Sequence, residues 1–330
     1  MDGPMSHERA PVLGIDFGGT KLAVAVATPT GDVLADRREP SEASQGPDAM
    51  IARATRMARE AVDQAAIALD EVSVIGIGCG GPLDPWRGIV HNALNNPGWI
   101  DVPLVARIEA ELGRPAFLDN DANAAALGEH RFGAGRGVDD LVYLTISTGV
   151  GGGLVLGGRL YHGENGNAGE LGHISVQVQG GRPCHCGSIG CLEAYCSGTN
   201  IAARFVEALA ADGGESVLRG RTEVTARDVA DAARAGDPLA RRVWDETTTL
   251  LGGGIVSIVH AFNPRLVILG GGVTRAGDLL FEPVRRVVGT RAMRWLAEPL
   301  RIVPAELGDR TGVLGAVAVA LERSQTPVAA

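Results

Sequence analysis

Aromatic residues are scarce in this sequence, and long apolar runs are missing. Phe, Trp and Tyr make up 4% of the 330 residues and hydrophobic residues 45%, so the core must be built mainly from Ala, Val, Leu and Ile. No apolar run reaches the roughly 20 residues that cross a bilayer. The start, Met1 to Pro11, is polar and has no apolar signal segment. We therefore expect a cytoplasmic protein without a membrane partner.

Positive charge is also in short supply. Lys and Arg number 30 against 39 Asp and Glu, which gives a formal net charge of −9. Such a charge disfavours binding to nucleic acid or to an anionic membrane surface. The length of 330 residues fits two domains of ordinary size.

Cysteine is sparse as well, but three of the five cysteines lie within eight positions. His185 lies between Cys184 and Cys186, two glycines lie between Cys186 and Cys191, and His173 precedes all three cysteines. A set of three Cys and one His closes the tetrahedral sphere of Zn²⁺ and leaves no position for substrate, which predicts a structural zinc. A reducing cytosol favours metal over a disulfide, although a disulfide or reduced core thiols are alternatives. His185 is a rival fourth ligand, but its place between two cysteines restricts its reach.

The predicted elements follow the same order in both halves of the chain. A strand over Val12–Phe17 leads through a glycine turn to a strand over Leu22–Ala27, and a strand over Asp140–Ser147 leads through a turn over 148–153 to a strand from Leu154. Further strands are predicted over Val33–Arg38, Val72–Gly78, Pro115–Leu118, Leu266–Leu269 and Leu300–Pro304. Helices are predicted over Asp48–Leu69, Pro103–Leu112, Ala122–His130, Gly198–Ala211, Thr225–Ala235, Pro238–Phe262, Asp278–Val288 and Thr311–Glu322. This repetition predicts two related α/β domains that face each other across a cleft.

The first glycine turn carries the groups that a phosphate-binding site needs. The backbone N–H groups of Gly18 and Gly19 can cradle phosphate oxygens. Thr20 adds a hydroxyl and Lys21 a cation, and the Asp16 carboxylate can hold hydrated Mg²⁺. The alternative is a plain β-hairpin turn in which glycine supplies a positive φ.

The second glycine turn, with Thr148 and Gly149, offers the same groups and has the same alternative. Neither turn has the spacing of a P-loop. A strand rather than a helix follows each turn, which excludes the Rossmann fingerprint.

Polar residues also end the strand before the predicted helix over Ala122–His130. The run is Asp119-Asn120-Asp121, and Asn and Asp are good helix caps. Ligands favour the carboxyl ends of strands in open α/β sheets. A carboxylate at that place can take a proton from a hydroxyl nucleophile.

Together these segments resemble the ROK family, named for repressors, ORFs and sugar kinases. The matching runs occur in family order: D-F-G-G-T-K, L-D-N-D-A-N-A-A-A, S-T-G-V-G-G-G, G-E-L-G-H and C-H-C-G-S-I-G-C-L-E. The resemblance covers about Val12 to Leu321. It implies an α/β fold of the actin-like ATPase (ribonuclease H-like) type, duplicated into two domains with an interdomain cleft. A small domain of residues 1–120, completed by a C-terminal helix in 309–330, would face a large domain of residues 121–308 that holds the zinc loop.

The resemblance also implies roles for individual residues. Asp121 would be the catalytic base. The sugar would be bound by Asn120, Asp121, Glu170, His173 and Glu193. Zinc would be held by His173, Cys184, Cys186 and Cys191. ATP phosphates and Mg²⁺ would lie at the two glycine turns, with the adenosine near Gly271 and Gly272.

The function implied is ATP-dependent phosphorylation of a hexose at its 6-hydroxyl, with glucose as the expected sugar. N-acetylmannosamine or an aminoglucose as substrate, and polyphosphate as donor, are alternatives within the same class. The loops Gly80-Gly81-Pro82 and Asn95–Trp99 depart from the common family pattern and leave the sugar open. Other functions are a sugar-responsive repressor, for which eleven residues before Val12 leave no room for a DNA-binding module, and a sugar-binding protein without catalysis. We expect a homodimer or homotetramer.

Overall fold

Thirteen strands and ten helices make up the regular elements of the described residues. The computed structural model describes residues 10–93, 97–212 and 215–325. The strands are β1 (Val12–Phe17), β2 (Lys21–Ala27), β3 (Val33–Pro40), β4 (Val74–Cys79), β5 (Leu83–Asp84), β6 (Ile89–Asn92), β7 (Ile100–Val102), β8 (Ala116–Asn120), β9 (Leu141–Ile146), β10 (Val150–Leu156), β11 (Arg159–Leu160), β12 (Leu266–Gly270) and β13 (Arg301–Pro304). The helices are α1 (Gly46–Gln64), α2 (Leu104–Leu112), α3 (Asp121–Phe132), α4 (Glu193–Cys196), α5 (Gly198–Asp212), α6 (Ala226–Arg234), α7 (Pro238–Phe262), α8 (Asp278–Arg291), α9 (Arg294–Ala297) and α10 (Thr311–Gln325).

Two five-stranded sheets with the same topology form the frame. Their strand orders are β3-β2-β1-β4-β8 and β11-β10-β9-β12-β13. In each sheet the first three strands along the chain are antiparallel neighbours, and the last two add in parallel. The duplicated frame expected from the sequence is therefore confirmed, and the matching ends of the two sheets can meet at one cleft.

Helices α3 and α10 lie between the two sheets. Apolar residues of both helices pack with β9 and β12 of the second sheet, while α10 also contacts β1 and β4 of the first. The two helices approach very closely, since a Cβ on Gly315 would lie 2.5 Å from the carbonyl oxygen of Ala124. Because α3 begins at Asp121, the cleft end of this helix is held by packing against both sheets.

The outer faces of the sheets are covered by different helices. Met50, Ala54 and Ile108 of α1 and α2 belong to the core of the first sheet. Helices α5 to α8 cover the second sheet, where Phe205 and Trp244 are fully buried. Among the described residues, no helix has the length and apolar character needed to cross a membrane.

Several predicted bounds need correction. The second glycine turn is shorter than predicted, because Gly151–Gly153 belong to β10. The helix predicted to reach Leu69 ends at Gln64, and Ala66 then has a positive φ of 55°. The predicted loop after β4 includes β5, which pairs with β6 at one edge of a small third sheet in the order β5-β6-β7. Asn95 and Asn96 of the second substrate-side loop lie outside the described residues.

Candidate active site

A cavity of about 780 Å³ opens between the two halves of the chain. Its walls come from the first glycine turn, the loop after β4, the start of α3, the second glycine turn and the segment before the cysteines. The predicted site residues along it are Gly19, Thr20, Asn120, Asp121, Thr148, Gly149, Glu170, His173, Cys186 and Glu193. Residues predicted from distant parts of the sequence thus share one cleft.

A second cavity, of about 980 Å³, adjoins the first at Ser147 and Thr148. It is lined by parts of α5, α6 and the segment after β12, and it includes Gly272. The backbone N–H of Gly198 donates to the carbonyl of Ser147 at 2.6 Å, which ties the start of α5 to the second glycine turn. The two cavities therefore adjoin at the second glycine turn, which contributes to the wall of each.

Asp121 stands at the N-terminus of α3, within the first cavity. The helix is capped by Asn120, whose side-chain oxygen accepts N–H bonds from Ala122 at 2.9 Å and Asn123 at 3.3 Å. The protein around the Asp121 carboxyl raises its pKa by desolvation, against the opposing bond from the Ala122 N–H. A carboxyl group with a raised pKa is a stronger proton acceptor than an ordinary aspartate. Capping and proton acceptance are therefore divided between neighbouring residues.

Asp16 lies directly behind Asp121. A Cβ on Gly78, which separates them, would be 3.8 Å from Asp16 Oδ1 and 3.9 Å from Asp121 Cα. Burial and then the charge of Asp121 raise the pKa of Asp16 to about 7, while Arg38 opposes the shift. Two carboxyl groups crowded in this way favour a bound cation, and oxygen donors suit Mg²⁺.

The first glycine turn is a β-hairpin, as its alternative interpretation required. The N–H of Gly18 donates to the carbonyl of Lys21 at 3.1 Å, but neither glycine of the turn has a positive φ. Thr20 and Lys21 are exposed. Asp16, Gly18 and Lys21 line neither cavity, whereas Gly19 and Thr20 face the first.

The cleft wall opposite Asp121 carries two further carboxylates. Glu193 Oε2 accepts the N–H of Val150 at 2.8 Å, which joins α4 to the second glycine turn. Burial raises the pKa of Glu170, with His173 opposing and the charges of Asp121 and Glu193 adding to the shift. His173 Nε2 lies 3.7 Å from Glu170 Oε2.

The cysteine cluster forms as the sequence predicts. One ligand atom from each of His173, Cys184, Cys186 and Cys191 lies within 4.8 Å of the others. The thiols are free of disulfides. His185 is exposed and does not belong to this group, so His173 is the better placed of the two histidines.

The spacing of these atoms fits a tetrahedral zinc. Cys186 Sγ and Cys191 Sγ are 3.7 Å apart, and Cys184 Sγ is 3.6 Å from His173 Nδ1. Zinc bonds of about 2.3 Å to sulfur and about 2.0 Å to nitrogen give separations of about 3.8 Å between two sulfurs and about 3.5 Å between sulfur and nitrogen around a tetrahedral centre. With Nδ1 turned to the cysteines, His173 Nε2 remains on the side of Glu170.

Gly271 shapes the site without lining it. Its φ is +86°, and a Cβ there would lie 2.4 Å from the carbonyl oxygen of Ile146. Only glycine lets the chain leave β12 so close to the end of β9. Gly272 follows it and borders the second cavity.

Sequence reasoning missed several residues of the two cavities. The second cavity is lined by helix residues such as Thr199, Arg227 and Arg234, which carry no local motif and meet only through the packing of α5 on α6. Asn167 lines the first cavity, and its side-chain oxygen accepts the N–H of Leu83 at 3.4 Å. The pairing of Asp119 with His162 was missed because 43 positions separate them.

Comparison with known proteins identifies the class to which this fold and site belong. Residues 12–323 match the ROK family. The chain belongs to the ROK family, and its duplicated frame is the actin-like ATPase fold that the sequence predicted.

Individual relatives are similar over nearly their whole length. The chain is 37% identical over 315 residues to a glucokinase of Thermotoga maritima, covering 94% of this chain and 98% of the relative. A solved ROK hexokinase from Thermus thermophilus superposes with a TM-score of 0.80 at 36% identity, covering 96% of this chain and 99% of that one. A ROK family glucokinase from Streptomyces griseus, solved with glucose and AMPPNP, gives 0.79 at 33% identity, covering 94% and 99%.

Proposed function

We propose that the chain is an ATP-dependent sugar kinase that phosphorylates glucose at its 6-hydroxyl. The observation that carries this proposal is the pair of adjoining cavities. A carboxyl with a raised pKa, Asp121, stands in one cavity, and the second glycine turn stands at the junction with the other. Glucokinases and a hexokinase among the relatives support the same function.

The first cavity is the proposed sugar site. Asn120, Glu170, His173 and Glu193 surround it together with Asp121. Carboxylates and amides suit a ligand with many hydroxyls, because their oxygens accept several hydrogen bonds at once. The acceptor hydroxyl would then lie next to Asp121, which would take its proton as the hydroxyl oxygen attacks phosphorus.

The second cavity is the proposed adenosine site, with the phosphates at the glycine turns. The backbone N–H groups and hydroxyls of Thr20, Thr148 and Gly149 would hold phosphate oxygens. Asp16 would hold Mg²⁺ through its carboxylate, and this ion supplies charge neutralisation on the transferred phosphoryl group when it is bound. Gly272 would border the adenosine end, and Gly271 would shape the turn that leads to it.

We further propose that the cysteine cluster binds a structural zinc. The donor set and its spacing support this ion, and all four ligands are then protein atoms. The zinc would fix the segment between His173 and Glu193, so that both side chains face the sugar from a rigid base.

The remaining expectations extend the same proposal. We propose a cytoplasmic homodimer or homotetramer that binds neither nucleic acid nor membranes. The proposed domain division is 1–120 with 309–330, against 121–308, and it is supported by the separate cores of the two sheets.

A coupled ADP-release assay on a panel of sugars tests the function. We expect the highest kcat/KM for glucose and lower values for 2-deoxyglucose, glucosamine and N-acetylmannosamine, because buried polar groups left unpaired penalise analogues. Xylose is the matched control, since it keeps the ring hydroxyls of glucose and lacks the 6-hydroxyl. A higher kcat/KM for an aminosugar would overturn glucose as substrate, and polyphosphate outperforming ATP would overturn the donor.

A further inference from the structure

A buried His–Asp pair lies next to the proposed base and has no role in the mechanism above. His162 Nε2 is 2.6 Å from Asp119 Oδ2, and the two side chains are 15% and 1% exposed. His162 follows β11, whereas Asp119 belongs to β8 in the other sheet. The pair therefore connects the two halves of the chain, beside Asn120, which lines the cleft.

Asp119 is bonded on its other oxygen to the residues around the base. Asp119 Oδ1 accepts the backbone N–H of Asn120 at 2.9 Å and the side-chain amide of Asn123 at 3.1 Å. Asn120 and Asn123 both belong to the turn that starts α3 and presents Asp121. A shift of Asp119 would therefore move the backbone that aims both Asn120 and Asp121.

His162 also anchors the segment on the opposite wall of the sugar cavity. Residues 161–170 are here called the sugar loop, and His162 is the second residue of this loop. The backbone carbonyl of His162 accepts the N–H of Ala168 at 3.0 Å. Gly166 to Glu170 of the sugar loop line the first cavity. His162 thus holds the sugar loop through its backbone carbonyl and holds Asp119, near the end of β8, through its ring.

The surroundings keep the His162 ring in place and favour its charged form. Trp86 of the β5–β6 turn packs on the ring, with centroids 5.9 Å apart. Burial lowers the pKa of His162, but the hydrogen bond to Asp119 and the charge of Asp119 together outweigh it and raise the pKa overall, with Arg323 opposing and Glu322 assisting. A buried pair with further hydrogen bonds holds its geometry more tightly than an exposed one.

Resting on the proposed function, we propose that His162 is a positioning residue for sugar phosphorylation. Its bond to Asp119 fixes the distance between the sugar loop and the start of α3, where Asn120 and Asp121 lie. The second cavity, the proposed adenosine site, is lined by other elements. A substitution of His162 is therefore expected to impair the sugar site and to leave ATP binding unchanged.

Two amide substitutions separate this role from general stability. In His162→Gln the amide N–H takes nearly the position of Nε2 and can still donate to Asp119, whereas in His162→Asn it is too short to reach. His91→Ala is the control, because His91 forms an exposed pair with Asp101 at 2.8 Å. For each variant, kcat, the KM for glucose, the KM for ATP and calorimetric glucose binding are measured.

We expect His162→Asn to lower kcat/KM for glucose by about 10²-fold, as small misplacements of reacting groups do, and to weaken glucose binding. The KM for ATP stays unchanged, His162→Gln keeps most of the activity, and His91→Ala behaves like the wild type. Equal kinetics for the Gln and Asn variants, or equal losses for glucose and ATP, would overturn the proposal.

If His162→Asn does not fold, Asp119→Asn carries the same expectation, since it keeps an acceptor for the Asn120 N–H and removes the charge that holds His162. A wild-type enzyme that binds glucose without phosphorylating it would overturn the proposed function instead. In that case the binding data on the variants still decide the role of His162.

Discussion

At the scale of single residues, the cleft crowds negative charge around the reacting position. Asp16 and Asp121 lie on either side of Gly78, and Glu170 faces them across the cavity. Desolvation by the surrounding protein raises the pKa of all three, to about 7 for Asp16. A carboxyl whose folded pKa exceeds its unfolded pKa destabilises the folded protein as pH rises between the two values.

The first prediction concerns the pH dependence of stability in the absence of Mg²⁺. As pH rises from about 4 to about 7, ionisation of Asp16 lowers the free energy of unfolding of the wild type by up to about 1.4 kcal/mol per pH unit. Asp16→Asn removes this contribution, so we expect a shallower decline and higher stability than the wild type at pH 8. Denaturant unfolding across this range measures it, and parallel curves for the two proteins would contradict it.

The second prediction concerns Asp121. Asp121→Asn keeps the size of the side chain, and the helix cap is supplied by Asn120, so we expect an unchanged fold and a melting temperature at least as high as that of the wild type, because a carboxylate beside Asp16 is removed. Loss of the proton acceptor lowers kcat by roughly 10²-fold or more. Steady-state kinetics with glucose measure the effect. Near-normal turnover in the Asn variant would rule out Asp121 as the base.

At the scale of elements, the short helix α4 and the segment before it work as one support. Glu193 opens α4 and bonds to the second glycine turn, while Cys191 precedes it by two positions and Cys184 Sγ is 3.8 Å from Glu193 Oε1. The cysteine cluster therefore lies directly beneath a cleft carboxylate, so we expect a metal bound there to be coupled through packing to the proposed sugar site.

The third prediction is the effect of metal removal. Chelation, or Cys186→Ser, lowers the melting temperature and weakens glucose binding by at least about tenfold, because His173 and Glu193 lose their anchor. Cys196→Ser is the matched control, since this buried thiol contacts the carbonyl of Thr247 outside the cluster. Zinc content, melting temperature and calorimetry give the measurement. A zinc-free protein with full stability and activity would refute the role.

The fourth prediction concerns a substitution that places a side chain in the second cavity, the proposed adenosine site. A Cβ on Gly272 meets no atom within 4 Å, so Gly272→Leu folds normally and projects into the second cavity. We expect the KM for ATP to rise roughly tenfold, equivalent to about 1.4 kcal/mol, with the KM for glucose unchanged. Gly253→Leu in α7 is the control, because that position is equally open and lines neither cavity. Equal effects on both substrates would contradict the assignment.

Some element bounds can be predicted from local sequence, whereas others depend on packing between distant segments. The bounds of β1 and α7 were predicted correctly, because a strong apolar pattern and clear end signals define them locally. Gly151–Gly153 were predicted as a turn because glycine is a poor strand former. They stay in β10 because α3 packs so closely on the strand that a Cβ on Gly153 would lie 2.6 Å from Ala126. Such contacts between distant segments are not readable from local sequence.

At the scale of the whole molecule, the repeated order of elements predicted the two sheets and the cleft between them. The same pattern does not predict that α3 and α10 lie between the sheets, since their apolar residues are mostly Ala and Val and fit several packings. The motifs likewise predicted residues that line the first cavity, but not the helices that enclose the second cavity or the His162–Asp119 pair, which joins the two halves of the chain.

We expect the protein to transfer a phosphoryl group from ATP to the 6-hydroxyl of glucose, with the two substrates bound in the two adjoining cavities. The most direct test measures ADP and glucose 6-phosphate together in one reaction, the latter with glucose-6-phosphate dehydrogenase. We expect equal amounts of ADP and glucose 6-phosphate, formed only when glucose and ATP are present together. ADP released without glucose 6-phosphate, or no glucose-dependent ADP release at all, would contradict it.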